Sequence, residues 1–476
     1  MILLMFLLCI LVAFVAVLLI NTAMKTKAAA KLVGQHPEFS QEELAEYGRK
    51  LQRMIQCKTV SVRDSYDDTE FAKLREVVKE EFPLLHEKAE IMRFADDCWI
   101  YKIPGKNPER NIMLMSHHDV VAADESWTHE PFSGEIVDGV IYGRGVADTK
   151  GSLCGILCAA EQMLSEGFVP EVNLYLGSSH NEELGGDGIP TALKYFQENG
   201  INFEVILDEG GAIVDPPLGN MNCEACAMVA VHEKGRCKVT CTATWESNHV
   251  SLTGYKNNPV ERMASFIREV SSGNVFITRL NPQVEEMFSQ LAPYCGFPMN
   301  VLFSNLWCFG GLICKVLPKI NATAGGMIGT TCAFQTIQAG TNEKVCKASA
   351  MLRNIDPDDL DKDLEKFNAI AKKYGIEVEI THREYYKPAD MDAMAYHYTM
   401  DALKKVFPKY PAAPYILPAG TDAWKLTPVC DCVLRFAPTR MNTKQLASIH
   451  AVDEQIGVSA IAEAAAFYLH FVKNYQ

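Results

Sequence analysis

Five residues of this chain have metal-binding side chains at positions where they could meet: His117, Asp148, Glu183, Asp208 and His450. The first four follow short apolar runs, and the last lies near the C-terminus. Imidazole nitrogens and carboxylate oxygens are ligands that zinc takes in catalytic sites. Two metal ions about 3.5–4 Å apart can bind both the attacking water and the negative charge that develops during hydrolysis. These residue types therefore point to metal-dependent hydrolysis.

The strongest pattern surrounds His117 and Asp148. The apolar run 112–115 predicts a buried strand that ends at His117, and Asp119 follows two residues later. A second short strand, 140–142, leads through a Gly-Arg-Gly turn to Asp148, just before a predicted helix. A single His-x-Asp triplet would be weak evidence for a site. Two such clusters at the ends of two apolar strands, with glycines that allow close backbone approach, are much stronger evidence.

Strands and helices alternate through the first half of the chain and would position these residues. Apolar runs at 174–178 and 204–207 predict buried strands, and the patterns at 152–166 and 189–199 predict helices. This alternation predicts an α/β fold with a mostly parallel central sheet flanked by helices. Such sheets bind their ligands at the carboxyl ends of the strands, where the candidate residues occur.

The pattern changes after residue 229. A strand at 234–244, a helix at 260–270, two strands, a further helix and a last strand follow in β-α-β-β-α-β order. This order predicts a small ferredoxin-like α+β domain inserted into the larger one. The segment 281–324 within it is rich in Phe, Leu and Trp, and predicts either a helical flap beside the active site or local packing alone.

Composition limits the classes of protein that the chain can belong to. A length of 476 residues favours two domains. The net charge of -14 argues against a nucleic-acid partner, because no basic surface is available to neutralise phosphates. The 16 cysteines are scattered and do not form a small disulfide framework, which favours a reducing compartment.

The N-terminus begins with an apolar stretch, residues 1–20, that has no charged side chain. About 20 such residues in a helix span a hydrocarbon core of about 30 Å, so we predict an uncleaved single membrane span. A cleavable signal peptide is the alternative. Lys25, Lys27 and Lys31 follow the stretch, and this favours the cytoplasmic over the extracellular side for the rest of the chain.

Two of these segments resemble the signature of a known family. Residues 117–121 match His-x-Asp-Val-Val, and residues 142–151 match Tyr-Gly-Arg-Gly-x-x-Asp-x-Lys-Gly. Both are similar to the zinc-dependent aminoacylase and carboxypeptidase S metallopeptidases, and the resemblance extends from about Leu51 to near the C-terminus. The likeness is greatest to the branch of carboxypeptidase S and the secreted N-fatty-acyl-amino-acid hydrolases, as in Leu207–Gly211 and Phe303–Cys308.

The resemblance implies two zinc ions with a defined set of ligands. Asp148 corresponds to the bridging carboxylate. His117 and Asp208 would complete one metal site, and Glu183 and His450 would complete the other.

It also implies three residues that act on the reaction without binding metal. Asp119 would hold the ring of His117 in orientation, and Glu182 would be the general base. His249 would stabilise the oxyanion, in the family often from the partner subunit of a dimer. Glu454 would support His450 from the following turn.

The substrate end departs from the family pattern. Arg353 occupies the place of the arginine in the inserted domain, and Gly420 that of the glycine in Gly-x-Thr-Asp-x-Arg, but Trp424 replaces the arginine. Lys344 stands where the family has a substrate-binding asparagine, and Asn342 is a candidate replacement.

We therefore expect a dinuclear zinc hydrolase that cleaves an amide bond next to a free carboxylate in short peptides or N-acyl amino acids. The alternatives are a membrane-tethered relative that binds zinc without turnover, and a small-molecule biosynthetic deacylase. The inserted domain would act as a lid and could form a homodimer. The predicted divisions are an anchor and linker at 1–32, a catalytic domain at 37–230 and 389–476, and a lid domain at 231–388.

Overall fold

The computed structural model describes all residues except 30, 124–125, 246–257, 273–274, 321 and 341–344. Its helices are α1 (Ile2–Ala28), α2 (Gln41–Ile55), α3 (Asp68–Glu81), α4 (Pro83–Lys88), α5 (Lys150–Ser165), α6 (Gly188–Glu198), α7 (Pro259–Ser271), α8 (Pro282–Leu291), α9 (Met299–Ser304), α10 (Leu306–Ile320), α11 (Ala322–Gly326), α12 (Pro357–Lys373), α13 (Met394–Val406), α14 (Thr443–Ala447) and α15 (Val458–Asn474).

The strands form three sheets. They are β1 (Glu90–Phe94), β2 (Cys98–Ile103), β3 (Asn107–His117), β4 (Glu135–Val137), β5 (Val140–Tyr142), β6 (Val172–Ser179), β7 (Val205–Asp208), β8 (Ile213–Val214), β9 (Cys226–Glu233), β10 (Gly235–Thr244), β11 (Thr331–Gly340), β12 (Val345–Asn354), β13 (Ile376–Glu384), β14 (Ala412–Leu417), β15 (Val433–Arg435), β16 (Arg440–Met441) and β17 (Gln455–Gly457).

The largest sheet has the order β1-β2-β6-β3-β7-β15-β9-β8-β16, with β14 paired to β9. Its centre is parallel, from β6 through β3 and β7 to β15. Antiparallel pairs join β1 to β2, β2 to β6, β15 to β9 and β8 to β9. The sheet is therefore mixed, whereas the sequence predicts a mostly parallel one. The apolar runs at β3, β6 and β7 are buried in its middle, as expected for strands covered on both faces.

Helix α5 follows the Gly-Arg-Gly turn and is buried along most of its length. It packs closely against α15, because a Cβ atom at Gly155 would lie only 3.1 Å from the Cβ atom of Ala464. Small residues at this crossing let the two backbones approach. The packing fixes the start of α5, and with it the loop that carries Asp148.

A smaller sheet has the order β11-β12-β10-β13 and is antiparallel throughout. Helices α7 and α12 cover it, and their apolar side chains Phe266 and Phe367 share a core with Val239 and Leu352. This is the succession of strands and helices that the sequence predicts after residue 229. Its movement as a lid stays a prediction.

The segment between α7 and β11 forms four helices, α8 to α11, which we call the helical insertion (residues 281–326). It packs Phe288 and Phe303 against Ile416 of β14 in a core of its own. Helix α1 lies against this insertion, with Leu18 and Thr22 buried. It has 27 residues, and an 18-residue window of it has a mean hydropathy of 3.4, so α1 is long and apolar enough to cross a membrane.

Candidate metal centre

A first group of metal-binding side chains lies at the end of the central strands and contains His117, Asp148 and Glu209. The His117 Nε2 atom lies 3.1 Å from Asp148 Oδ1 and 3.8 Å from Glu209 Oε1. His117 is the last residue of β3, and Glu209 directly follows β7. Because β3 and β7 are neighbouring parallel strands, their carboxyl ends bring these side chains together.

A second group contains Asp148, Glu183 and His450. The His450 Nε2 atom lies 3.0 Å from Asp148 Oδ2 and 3.1 Å from Glu183 Oε1. Asp148 thus belongs to both groups, and each of its two carboxylate oxygens faces a different imidazole. This is the arrangement that a carboxylate bridging two cations requires.

Asp208 lies in neither group, although the sequence analysis expects it as a ligand. Its side chain is buried at the end of β7, and its Oδ2 atom has no hydrogen-bond partner among the described residues. Burial and the nearby carboxylate of Asp422 raise the pKa of Asp208 to about 7. Of the two adjacent carboxylates, it is Glu209 that lies beside His117, with its Oε1 atom 3.8 Å from Nε2. The group around His117 and Asp148 therefore contains Glu209 and does not contain Asp208.

Together, the two groups carry more negative charge than their two imidazoles can balance. Among the described residues, no lysine or arginine forms a salt bridge with Asp148, Glu183 or Glu209. Hydrogen bonds that its ring donates to the carboxylates of Asp148 and Glu183 raise the pKa of His450 to about 10. Burial and the neighbouring Asp148 raise the pKa of Glu209 well above its usual range. A dication held by these nitrogen and oxygen donors would remove the imbalance, so the residues fit a metal.

Asp119 connects the first group to the acidic turn after β6. Its carboxylate is fully buried and accepts hydrogen bonds from the backbone N–H groups of Glu182 and Glu183, at 3.1 and 3.2 Å. One of its oxygens also lies 3.4 Å from the Nδ1 atom of His117, whose closer neighbour is the Asp119 carbonyl oxygen at 3.0 Å. Asp119 therefore orients both the histidine ring and the turn.

Glu182 and Glu183 open a 3-10 turn that ends at Gly185 with φ of 64°. The turn directs the two carboxylates differently, since Glu183 faces His450 while Glu182 Oε2 lies 4.0 Å from His117 Nε2. Burial raises the pKa of Glu182 well above its usual range. A carboxylate that accepts and returns a proton near neutral pH requires a pKa raised in this direction.

Glu454 fixes the loop that carries Asp148. Its fully buried carboxylate accepts hydrogen bonds from the N–H groups of Gly145, Ala147 and Asp148, at 2.9 to 3.1 Å. The Arg144 guanidinium donates a further bond at 2.7 Å. The sequence analysis expects Glu454 to support His450, but its hydrogen bonds are to the loop of Asp148.

A cavity of about 820 Å³ opens beside both groups. Gly420 lines it, as the sequence analysis expects for a substrate residue. Arg353 donates to the carbonyl oxygens of Pro418 and Ala419, at 2.9 and 2.8 Å, and so holds the loop that leads to Gly420. His249 and Asn342, the remaining predicted site residues, lie outside the described residues, as does Lys344.

Arg236 also lines this cavity, and the sequence analysis did not single it out. It pairs directly with Arg353 across strands β10 and β12, and its Nε atom is buried without a hydrogen-bond partner in the described part of the chain. The strand pairing that places it there joins residues far apart in the sequence. No local motif could have indicated it.

The family model described as Peptidase family M20/M25/M40 matches residues 113–474 of the chain. A probable carboxypeptidase S-like 2 of Dictyostelium discoideum is 29% identical over 490 residues, covering 98% of this chain and 92% of that protein. The N-fatty-acyl-amino acid synthase/hydrolase PM20D1 of Xenopus tropicalis is 27% identical over 483 residues, covering 98% of this chain and 93% of that protein.

Solved structures share the fold. The M20 family metallo-carboxypeptidase Sso-CP2 from Sulfolobus solfataricus superposes with a TM-score of 0.65 at 19% identity, covering 90% of this chain and 98% of that one. A Bacillus subtilis protein titled a dinuclear metal binding peptidase from the M20 family gives a TM-score of 0.55 at 12% identity, with 90% and 98% covered. The extent of the family match, together with the metal-binding groups, establishes that the chain belongs to peptidase family M20/M25/M40, a family of metal-dependent hydrolases.

Proposed function

We propose that the chain is a dinuclear zinc hydrolase that cleaves an amide bond next to a free carboxylate, in N-acyl amino acids or short peptides. The observation that supports this best is the position of Asp148, whose two oxygens lie 3.1 and 3.0 Å from the Nε2 atoms of His117 and His450. A single metal ion would not need a separate imidazole beside each of these oxygens.

His117, Asp148 and Glu209 would hold one zinc ion, and Asp148, Glu183 and His450 would hold the other. When bound, two zinc ions would supply Lewis-acid stabilisation of the carbonyl oxygen and lower the pKa of a bound water to about 7. Histidine and carboxylate ligands with no cysteine are typical of catalytic zinc sites.

Glu182 would take the proton from the attacking water and return it to the leaving nitrogen. Its carboxylate is buried beside the first metal group, where a raised pKa lets it bind the proton between the two steps. Asp119 would keep Glu182 in place through the backbone N–H group that it binds. His249, outside the described residues, stays a proposed donor to the oxyanion.

The free carboxylate of the substrate would bind at the arginine side of the cavity. Arg236 lines a cavity whose metal end is acidic, and its guanidinium can donate two parallel hydrogen bonds to a carboxylate. The named relatives agree with this class of substrate, since one is a carboxypeptidase S-like protein and another acts on N-fatty-acyl amino acids.

We also propose that α1 is retained as a single membrane span. The Asn305 side chain is fully buried against α1, where it accepts a hydrogen bond from Asn21 Nδ2 at 2.9 Å and donates to the Leu18 carbonyl oxygen at 3.2 Å. Cleavage of α1 would expose these polar atoms and the apolar side chains around them. The lysines after the span favour the cytoplasmic side for the catalytic domain.

The test is hydrolysis by the full-length chain in detergent, measured on dipeptides and on N-acyl amino acids of increasing chain length. Each substrate is paired with its C-terminal amide, which lacks the free carboxylate. We expect release of the amino acid only from the free acids, loss of activity with a chelator, and recovery with zinc.

The variant Glu182→Gln tests the proposed role of Glu182 as the general base. We expect its rate to fall by about 10²–10⁴-fold with the zinc content unchanged, because general base catalysis contributes about that factor. An unchanged rate would remove Glu182 from this role. No turnover of any substrate by wild-type protein with zinc bound would favour the zinc-binding relative without catalysis.

A further inference from the structure

Cys223 and Cys226 form the only Cys-x-x-Cys segment of the chain, and the fold brings their thiols into contact. The two Sγ atoms are 3.6 Å apart. Cys226 is the first residue of β9 and is fully buried, whereas Cys223 lies in the preceding loop and is partly exposed. Two cysteines can be joined without backbone movement only if their side chains already face each other. This pair meets that condition.

The pair lies where the catalytic domain meets the helical insertion. The Asn222 N–H group, next to Cys223, donates to the Tyr294 carbonyl oxygen at 2.7 Å. Cys226 and Cys295 belong to the core of the insertion, and Cys223 packs against it. Neither cysteine of the pair belongs to a metal-binding group of the described residues. The backbone beside Cys223 is therefore held in place, and its thiol is left for other chemistry.

The electrostatic surroundings favour Cys223 as the attacking sulfur. The Cys226 thiol can donate to it, and this hydrogen bond lowers the pKa of Cys223. The Arg440 guanidinium adds positive charge nearby, because its Nη2 atom lies 3.5 Å from the carbonyl oxygen of Glu224, between the two cysteines. A partly exposed thiol whose pKa is lowered reacts as its thiolate.

Cys295, the third cysteine of this junction, has the opposite character. It is 3% exposed, and burial raises its pKa to about 11. Its thiol donates to the Leu291 carbonyl oxygen at 3.5 Å. A buried thiol of this kind is inert. The reactive pair is therefore Cys223 with Cys226.

We propose that Cys223 and Cys226 are a reversible disulfide site that exchanges with a small disulfide of the glutathione type. In a reducing compartment the pair rests as two thiols, and it oxidises when the share of glutathione disulfide rises. This proposal is independent of the proposed hydrolysis and of the proposed membrane span.

The exchange takes two steps. The Cys223 thiolate attacks one sulfur of glutathione disulfide, which forms a mixed disulfide and releases one glutathione thiolate. Cys226 then loses its proton, attacks the Cys223 sulfur and releases the second glutathione thiolate. Two protein thiols are oxidised to one disulfide and one glutathione disulfide is reduced to two thiols. The two protons pass through solvent to the two released thiolates.

The test equilibrates the full-length protein in detergent with mixtures of reduced and oxidised glutathione, and then quenches with acid and alkylates the free thiols. A glutamate-specific protease cleaves after Glu224, so it separates the two cysteines unless a disulfide joins their peptides. We expect mass spectrometry to find joined peptides that a reductant separates. Two alkylated cysteines in every mixture, or a bond from Cys223 to Cys295, would overturn the proposal.

Dilution distinguishes the internal disulfide from a mixed disulfide. An internal disulfide releases two glutathione molecules as it forms, whereas a mixed disulfide releases one. At a fixed ratio of the two forms of glutathione, tenfold dilution should therefore raise the ratio of oxidised to reduced pair about tenfold. A ratio that dilution leaves unchanged would mean a mixed disulfide only, and would contradict the proposal.

Cys226→Ser removes the thiol that completes the exchange, so we expect one glutathione to stay attached to Cys223 in this variant. Cys154 and Cys158 are the matched control pair in wild type. Their Sγ atoms are 4.0 Å apart, but both lie within the buried helix α5, and we expect both to stay reduced. Equal oxidation of the two pairs, or no glutathione on Cys223 in the variant, would overturn the assigned roles.

Discussion

Asp148 divides the candidate site into two halves, because each of its oxygens faces a different imidazole. The proposed third ligand of the zinc ion beside His117 is one of two adjacent carboxylates, Asp208 or Glu209. Glu209 Oε1 lies 3.8 Å from His117 Nε2, whereas the buried Oδ2 atom of Asp208 has no hydrogen-bond partner among the residues that the structure describes. The two residues can be distinguished by removing the charge of each in turn.

Glu209→Gln is expected to lower the zinc content from about two ions per chain to about one. The amide is a much poorer ligand than a carboxylate. Activity should fall by more than about 100-fold, because mutation of residues that only hydrogen-bond to a metal ligand already lowers metal affinity or activity by roughly 10–100-fold. Zinc per chain is measured by atomic emission after dialysis, together with kcat.

Asp208→Asn is the matched control for that variant. The pKa of Asp208 is raised to about 7, so the neutral amide resembles a form that the residue already adopts. We expect both zinc ions to remain. Loss of one zinc ion from Asp208→Asn, with Glu209→Gln retaining two, would return Asp208 to the ligand set.

Glu463 on α15 provides a pH-dependent contribution to stability away from the metal groups. Burial raises its pKa to about 7, and its Oε2 atom has no hydrogen-bond partner in the described part of the chain. The unfolded chain loses this proton near pH 4.5 and the folded chain only near pH 7. Folding stability from this group is therefore greatest below pH 4.5 and is lost as the pH rises through 7.

Glu463→Gln is accordingly expected to stabilise the protein at pH 8, by roughly 1–3 kcal/mol, and to have little effect at pH 4.5. Thermal unfolding of wild type and variant at the two pH values measures the difference. A gain of equal size at both pH values would show that the charge of Glu463 is not its cause.

At the scale of elements, the loop from Gly143 to Asp148 is fixed at both ends. Helix α5 follows it and packs on α15 through Gly155 and Ala464. Glu454 accepts three backbone hydrogen bonds from the loop and a fourth from Arg144. The position of Asp148 thus depends on an acidic side chain near the other end of the chain.

Glu454→Gln is expected to lower zinc affinity by about 10–100-fold and to destabilise folding by about 3–5 kcal/mol. The amide nitrogen cannot accept the loop N–H groups, and Arg144 loses its buried partner. Competition with a chelator gives the affinity, and denaturant unfolding gives the stability.

Asp453→Asn is the neighbouring control for Glu454. Asp453 accepts from the N–H groups of Thr128 and His129 and adopts φ of 54°, a conformation that asparagine also tolerates. We expect zinc affinity to be unchanged. An equal loss in both variants would show that the whole turn, and not the carboxylate of Glu454, supports the site.

At the scale of the whole molecule, the candidate ligands come from five separate parts of the chain: the end of β3, the loop before α5, the acidic turn after β6, the end of β7, and the loop before β17. Two dications would join these parts, and each would neutralise carboxylates that are otherwise close together. Metal binding and folding should therefore be coupled.

Removal of zinc is expected to lower the unfolding temperature by several degrees. A ligand present at about 1,000 times its Kd stabilises the folded state by about 4 kcal/mol. Calorimetry of the full-length protein with a chelator, and then with zinc restored, measures the shift. Glu182→Gln should show the same shift, because Glu182 is not among the proposed ligands. An unfolding temperature that the chelator leaves unchanged would contradict the proposed zinc sites.

Local sequence patterns predicted much of this arrangement and failed at identifiable points. Apolar runs that end in His117 or lead to Glu183 predict strand ends, and strand ends meet at one edge of a sheet. Whether Glu209 or Asp208 lies beside His117 depends on the direction of each side chain at the end of β7, and two adjacent carboxylates in the sequence leave that open. Arg236 and the hydrogen bonds of Glu454 depend on pairings between distant residues. The residue types of Arg236 and Glu454 did not by themselves indicate these contacts.

The carboxylate of Asp119 connects the histidine ring at the end of β3 with the acidic turn after β6. It holds the amides of Glu182 and Glu183 and lies beside the ring of His117. A displacement of the end of β3 would therefore move His117, Glu182 and Glu183 in the same direction. Such common motion would keep the distances between these three side chains nearly constant while the sheet that supports them fluctuates.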